Sequence, residues 1–210
     1  MSLTYMPRQP LIRSDHHPYH ITQRSNNKEW FYLPMHDLWK IFQAALKDAQ
    51  IGTNVQIHSF VLMHNHYHSL ITTPQANIDL FQWTFANAFT RAVQAETGRI
   101  NHIFGGRYKW NLIEDQKYFY QAYKYLYLNP VRAGLCKSVI DYPFSSLSVC
   151  RSLKITDPII SQHGREKIIS WIDNSFSTEQ MQCLKRSFVK KRFQIAVDPI
   201  KRKYLTFLNP

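Results

Sequence analysis

Between Met63 and Ile71 the chain reads "MHNHYHSLI", with histidines at the alternate positions 64, 66 and 68. In an extended strand, alternate side chains leave the same face about 6.5 to 7 Å apart, so imidazoles at this spacing project together. Neutral imidazoles ligate divalent cations, and two of them leave positions for a phosphate oxygen and one more protein ligand. Spacing alone is a weak signal, because paired strand histidines are more often surface or hydrogen-bonding groups than ligands. Context adds weight. His66 and His68 share a face with Leu70, so the strand begins polar and then enters the core, and a strand mouth is where ligand sites are built.

A second group is a run of tyrosines at 118, 120, 123, 125 and 127. An aromatic stripe is more often packing than chemistry, and most of these rings are expected in the core. Residues four apart share a helix face, and only Tyr125 has an amide, Asn129, one turn on, with Arg132 at the next turn if the helix survives Pro130. Tyr123 and Tyr127 point roughly 200° away from Tyr125. A phenol, an amide oxygen and a guanidinium on one stripe suit phosphodiester transesterification. A phenol with a pKa of about 10 needs a metal or a base to become a competent nucleophile, and a metal also neutralises developing phosphate charge.

The surrounding elements must bring these groups together. "PYHITQRSN" at 18–26 alternates as a strand, and 35–50 places Leu38, Ile41, Phe42, Ala45 and Leu46 at helical spacing before a break at Gly52. Residues 54–63 and 66–74 read as two strands around a turn near His64 and Asn65. Residues 77–98 form an amphipathic helix stopped by Gly98, and 105–114 is strand-like. A last helix starts at Asp115 as N-cap and runs to Asn129, where Pro130 should kink or end it. The order β-α-β-β-α-β-α is the split βαβ arrangement. The expected fold class is therefore α+β, a ferredoxin-like (RRM-like) antiparallel sheet with packed helices. Further helices are expected at 164–174 and 178–193. We divide the chain into a first domain, 1–150, and a basic, mostly helical C-terminal extension, 151–210.

The formal net charge is +12 over 210 residues, with a pI near 9.7, which suits a polyanionic partner, nucleic acid above all. Residues 151–210 hold 12 Lys and Arg against 5 Asp and Glu. Within that extension "KRSFVKKRF" mixes cations with Phe188 and Phe193, which either stack unpaired bases or dock the tail on the core. Three cysteines, Cys136, Cys150 and Cys183, form no C-x-x-C pair, so neither a disulfide framework nor a structural zinc site is indicated. No apolar run reaches membrane-spanning length and the N-terminus lacks a secretory pattern, so a cytoplasmic, nucleoid-associated protein without membrane contact is expected.

"HNHYH" resembles the HUH signature (His, hydrophobic, His) of single-strand DNA nucleases. With "PYHITQRSN", "GGRYKW", "YLYLNPVRAGL" and "YPFSSL" in that order, it resembles the REP-associated tyrosine transposases, relatives of one-tyrosine insertion-sequence transposases. The match runs from about Pro18 to Ser146. The resemblance implies an HUH endonuclease fold, a Mg²⁺ or Mn²⁺ site, and a tyrosine that cuts single-stranded DNA near hairpins to leave a covalent 5′-phosphotyrosine and a free 3′-OH. Carried over residue by residue, the metal ligands fall on His66, His68 and Asn129 and the nucleophile on Tyr125. Imidazole ligands favour Mn²⁺ over the oxygen-seeking Mg²⁺. Candidate DNA contacts are Arg24, Arg107, Lys109 and Arg132, with Lys190, Lys191 and Arg192 in the extension. The family pattern reads M-P-N-H-x-H, so His64 replaces a proline and is expected to be a turn residue, not a third ligand. The expected protein is a transposase-like single-stranded DNA endonuclease and strand transferase, monomeric or homodimeric. The alternatives are a domesticated non-catalytic nucleic-acid binder and a metal-dependent phosphoesterase without a covalent tyrosine.

Overall fold

The computed structural model describes residues 10–148, 153–195, 206, 207, 209 and 210. Its sheet has four strands: β1 (Tyr19–Arg24), β2 (Gln56–Leu62), β3 (His66–Thr72) and β4 (Lys109–Leu112). They lie in the order β2-β3-β1-β4, with every pair antiparallel. Helix α1 (Met35–Thr53) joins β1 to β2, and α2 (Ile78–Thr97) joins β3 to β4. This is the split βαβ arrangement read from the sequence, and the fold is α+β and ferredoxin-like.

Strand alternation sorts the residues between two faces. Tyr19 and Ile21 of β1, Tyr67 and Ile71 of β3, and Trp110 and Leu112 of β4 pack under α1 and α2 with Phe42, Phe85 and Phe89. Val61, Leu70 and Ile113 face the other way, toward α3 (Gln116–Arg132). Helices α4 (Pro158–His163), α5 (Arg165–Asp173) and α6 (Thr178–Ser187) add Ile159, Ile168, Ile172 and Leu184 to that second core. Lys124, buried in the middle of α3, donates from Nζ to the Trp171 and Asn174 carbonyls at 2.7 and 2.5 Å, so the end of α5 is tied to α3.

Three helix ends differ from expectation, α6 stopping at Ser187 and not at 193. Helix α1 passes through Gly52 and stops at Asn54, which takes the left-handed conformation at φ 53° and caps the helix. Asparagine tolerates that conformation through its short polar side chain, so it supplies the stop assigned to glycine. Helix α3 continues past Pro130 to Arg132. Pro130 has no N–H to give the Leu126 carbonyl, and Asn129 Nδ2 donates to it instead at 3.2 Å and to the Tyr125 carbonyl at 2.9 Å. Gly98 stops α2 at φ 67°, and Asp115 caps α3 by accepting from the Lys117 amide, both as read from sequence.

Candidate active site

On the α3 side of the sheet, one end is polar. His66 and His68 of β3 stand beside Arg24 and Thr22 of β1, their register partners, and α3 lays Tyr125 across them. The Tyr125 ring meets the His68 ring edge-on at a centroid distance of 6.0 Å and the His20 ring at 6.4 Å. A cleft of about 730 Å³ opens here, walled by His66, His68, Tyr125 and Asn129 with Arg24, Arg107 and Lys109 among its lining. Among the described residues no carboxylate lines it.

Sequence reading missed His20, which is 2% exposed and bonded through Nε2 to His68 Nδ1 at 2.9 Å, the two rings stacked at 5.1 Å. Behind it, Asn111 Oδ1 lies 3.4 Å from His20 Nδ1. On the other candidate histidine, His66 Nδ1 bonds Asn65 Oδ1 at 2.7 Å. The block "PYHITQRSN" contained His20, and alternation puts it on the face of Thr22 and Arg24. Only the strand order, which makes β1 the neighbour of β3, brings it to His68.

Burial favours the neutral form of these imidazoles. His66 is pushed down to about 4 by desolvation and then by Arg24, and His20 to about 4 by desolvation, with Asn111 opposing. His68 is held well below its ordinary value by desolvation, then by His20 and His66. Burial raises the Tyr125 phenol, and Arg132 and Arg24 pull it back down.

The donor set fits a divalent cation. Both candidate histidines are neutral, and each has its Nδ1 engaged on the far side, which fixes the ring and presents Nε2. Asn129 has its Nδ2 committed to its own helix, which leaves Oδ1 as the amide atom available to a cation. Among the described residues there is no group of three or more His, Cys, Asp or Glu arranged for a metal; two imidazoles and one amide oxygen make a sparser set, with positions left over for substrate oxygens.

The other four tyrosines of the run are accounted for by packing. Tyr123 donates to Asp157 Oδ2 at 2.6 Å, and Tyr127 pairs with Ser146 Oγ at 2.7 Å. Tyr120 reaches Gln162 and His163, and the Tyr118 ring abuts Phe193. Of the five, Tyr125 lines the cleft.

Arg24, Arg107 and Lys109 line the cleft, and Arg132 lies over the Tyr125 ring at 5.8 Å. Three further candidate DNA contacts lie elsewhere. Lys191 sits over the Trp110 ring at 4.5 Å, Arg192 pairs with Glu114, and Lys190 is held by its carbonyl, which accepts from Asn111 Nδ2. Their segment runs along β4: the Leu112 amide donates to the Lys191 carbonyl and the Phe193 amide to the Leu112 carbonyl, both at 2.7 Å. Phe193 is buried, and the Phe188 ring packs at a tilt, 4.5 Å from both Tyr125 and His20. Both phenylalanines therefore dock the tail. Residues 201–203, the last cations counted in the extension, and Cys150 lie outside the described residues.

No profile of a known protein family matches the chain. A REP-associated tyrosine transposase of Escherichia coli (strain K12) is 29% identical over 122 residues, covering 55% of this chain and 71% of the relative. The chain is related to the REP-associated tyrosine transposases. A solved structure of such a transposase bound to a REP hairpin superposes with a TM-score of 0.58, at 20% identity over 67% of this chain and 82% of the other. That likeness supports the shared fold. The chain is thus transposase-like in sequence over that 122-residue stretch. Among the described residues no helix is long and apolar enough to cross a membrane.

Proposed function

We propose that the protein is a single-stranded DNA endonuclease and strand transferase that works through a covalent Tyr125 intermediate. One observation carries this reading: Tyr125, the tyrosine of the run that lines the basic cleft, lies edge-on to buried His68, with half-buried His66 lining the same cleft. His66, His68 and Asn129 would hold Mg²⁺ or, better matched to imidazole, Mn²⁺, which supplies charge neutralisation on the scissile phosphate.

The chain's own residues supply the rest. Arg24, Arg107 and Lys109 draw the phosphate backbone into the cleft. Arg132 and Arg24 favour the phenolate against the burial that opposes it. The Tyr125 oxygen attacks phosphorus, losing its proton as the O–P bond forms. The P–O3′ bond breaks, and the departing oxygen takes up a proton to become a free 3′-OH. The 5′-phosphate stays on Tyr125, so a later 3′-OH can reverse the step and complete strand transfer. His20 holds the His68 ring, and Phe188 covers Tyr125 and His20 from the tail side. A relative solved with a REP hairpin points to a single strand beside a hairpin as substrate, and we place the activity in the cytoplasm, on nucleoid DNA, in a monomer or homodimer.

The test is incubation with single-stranded oligonucleotides and Mn²⁺, resolved on denaturing gels. The reading expects cleavage and a covalent adduct whose tryptic peptide carries the DNA on Tyr125. In Tyr125→Phe, DNA binding should persist while cleavage and adduct vanish. Product without adduct would favour a hydrolase, and binding with neither would favour a non-catalytic binder.

A further inference from the structure

His64 is not among the residues lining the cleft. It lies in the turn between β2 and β3, partly exposed, and its ring stacks on Trp30 at 4.7 Å with 29° between the planes. Trp30 is 69% exposed although the next residue, Phe31, is wholly buried. The indole is therefore backed by an imidazole and open to solvent over much of its surface.

The loop that carries Trp30 is firmly placed. The Ser25 amide donates to the Asn65 carbonyl at 2.8 Å and the Phe31 amide to the His64 carbonyl at 2.9 Å. Asn65 Nδ2 donates to the Lys28 carbonyl at 2.7 Å. Asn27 and Lys28 take left-handed φ values of 54° and 61°, a conformation non-glycine residues keep only where their surroundings impose it. Residues 25–28 of the same loop line the cleft with His66 and Tyr125. Asn65 links the two regions, holding the loop through Lys28 and the metal-facing histidine through His66 Nδ1.

An exposed indole on a firmly placed loop, beside a cation-lined cleft with no carboxylate among its described lining residues, matches what an unpaired nucleobase needs: a flat apolar face next to phosphate-binding charge. Within a duplex both base faces are covered by neighbours, so the platform selects single strands. We propose that Trp30, backed by His64, is a stacking platform for one unpaired base of a DNA strand entering the cleft. This rests on the functional reading above.

The test measures affinity by fluorescence anisotropy with a labelled single strand lacking self-complementarity. Trp30→Ala should weaken binding roughly tenfold, Trp30→Phe much less, and His64→Ala by an intermediate factor. An abasic site moved along the strand should cost wild type the same factor at one position, and that position should be indifferent in Trp30→Ala. The abasic series alters only the DNA, so it reads the platform even where a protein variant folds poorly. If wild type binds and forms the adduct while Trp30→Ala binds equally well, or if no abasic position stands out, the platform is refuted and the nuclease reading stands. If wild type neither binds single strands nor forms the adduct, both fall together.

Discussion

The two faces of the sheet are built from alternate residues of the same strands, and they serve different ends. Toward α1 and α2 the strands contribute Tyr19, Ile21, Phe60, Leu62 and Tyr67, closed by an aromatic cluster in which Phe42 meets Phe85 edge-on at 5.4 Å. Toward α3 the intervening positions carry Val61, Leu70 and Ile113 together with His20, His66, His68 and Asn111, Leu70 pairing in register with His20 and Val61 with His68. The first face takes its stability from apolar area and ring geometry. The second places imidazoles where burial keeps them neutral, and it satisfies them through His20, Asn65 and Asn111. A period of two thus lets a strand put stability and chemistry on opposite sides without either disturbing the other.

The largest effects should come from substitutions that separate the faces. His66→Ala or His68→Ala should abolish Mn²⁺-dependent cleavage, a loss of at least about a thousandfold of the kind seen when one member of a catalytic unit is removed, with a cooperative melt retained. Phe42→Ala should do the reverse, costing about 3–5 kcal/mol of stability while the remaining folded protein cuts at the normal rate. Urea titration beside single-turnover cleavage measures both quantities. Normal cleavage in either histidine variant would misplace the site.

An intermediate effect is expected at His20, which bonds the candidate ligand His68. His20→Phe keeps an aromatic ring against Phe188 and Tyr125 but removes the partner of His68 Nδ1. Mn²⁺ affinity should fall about 10- to 100-fold, as for other partners of metal-bound histidines. Calorimetric titration reads this without reference to turnover, and an unchanged affinity would reduce His20 to packing.

The same histidines sharpen the comparison through pH. In metal-free protein the folded-state values of His20 and His66 are about 4, against about 6.5 in the unfolded chain. Below pH 6.5 the unfolded chain takes up protons that the folded one refuses, so stability present above that pH declines as pH falls toward 4. In chelator the melting temperature should drop across that window. His20→Phe should flatten the decline, and Phe42→Ala should lower the curve without changing its shape. An identical decline in His20→Phe would show that His20 titrates alike in both states.

What could be read in the sequence was whatever one local period carries. His66 and His68 follow from alternation in one strand, and Tyr125, Asn129 and Arg132 from the turn of one helix. Tyr123 and Tyr127, set aside by the same geometry, are bonded to Asp157 and Ser146. What escaped reading depends on the order of the strands and the path of the tail. His20 meets His68 across 48 residues and Asn111 across 91, and Phe188 reaches the site because Asn111 Nδ2 holds its carbonyl at 2.9 Å. Pro130 misled for a different reason: its neighbour Asn129 replaces the missing donor from a side chain, which propensity does not record.

The smallest expected effect separates cations that look alike in composition. Arg24, Arg107 and Lys109 line the cleft, whereas Arg192 is paired with Glu114 and Lys191 lies over Trp110. A cation that neutralises a phosphate of a single strand contributes about 0.7 to the slope of log affinity against log salt, because a condensed counterion is released. A cation already paired within the protein must first give up that partner, so it gains little from DNA. Replacing Arg24, Arg107 or Lys109 with Gln should therefore make the slope shallower by about 0.7 each, while Arg192→Gln should leave it nearly unchanged. Anisotropy titrations over a range of salt concentrations measure these slopes. If Arg192→Gln shifted the slope as much as Arg24→Gln, the strand would run over the tail as well as the cleft, and Phe188 and Phe193 would mark the edge of the DNA path in addition to docking the tail.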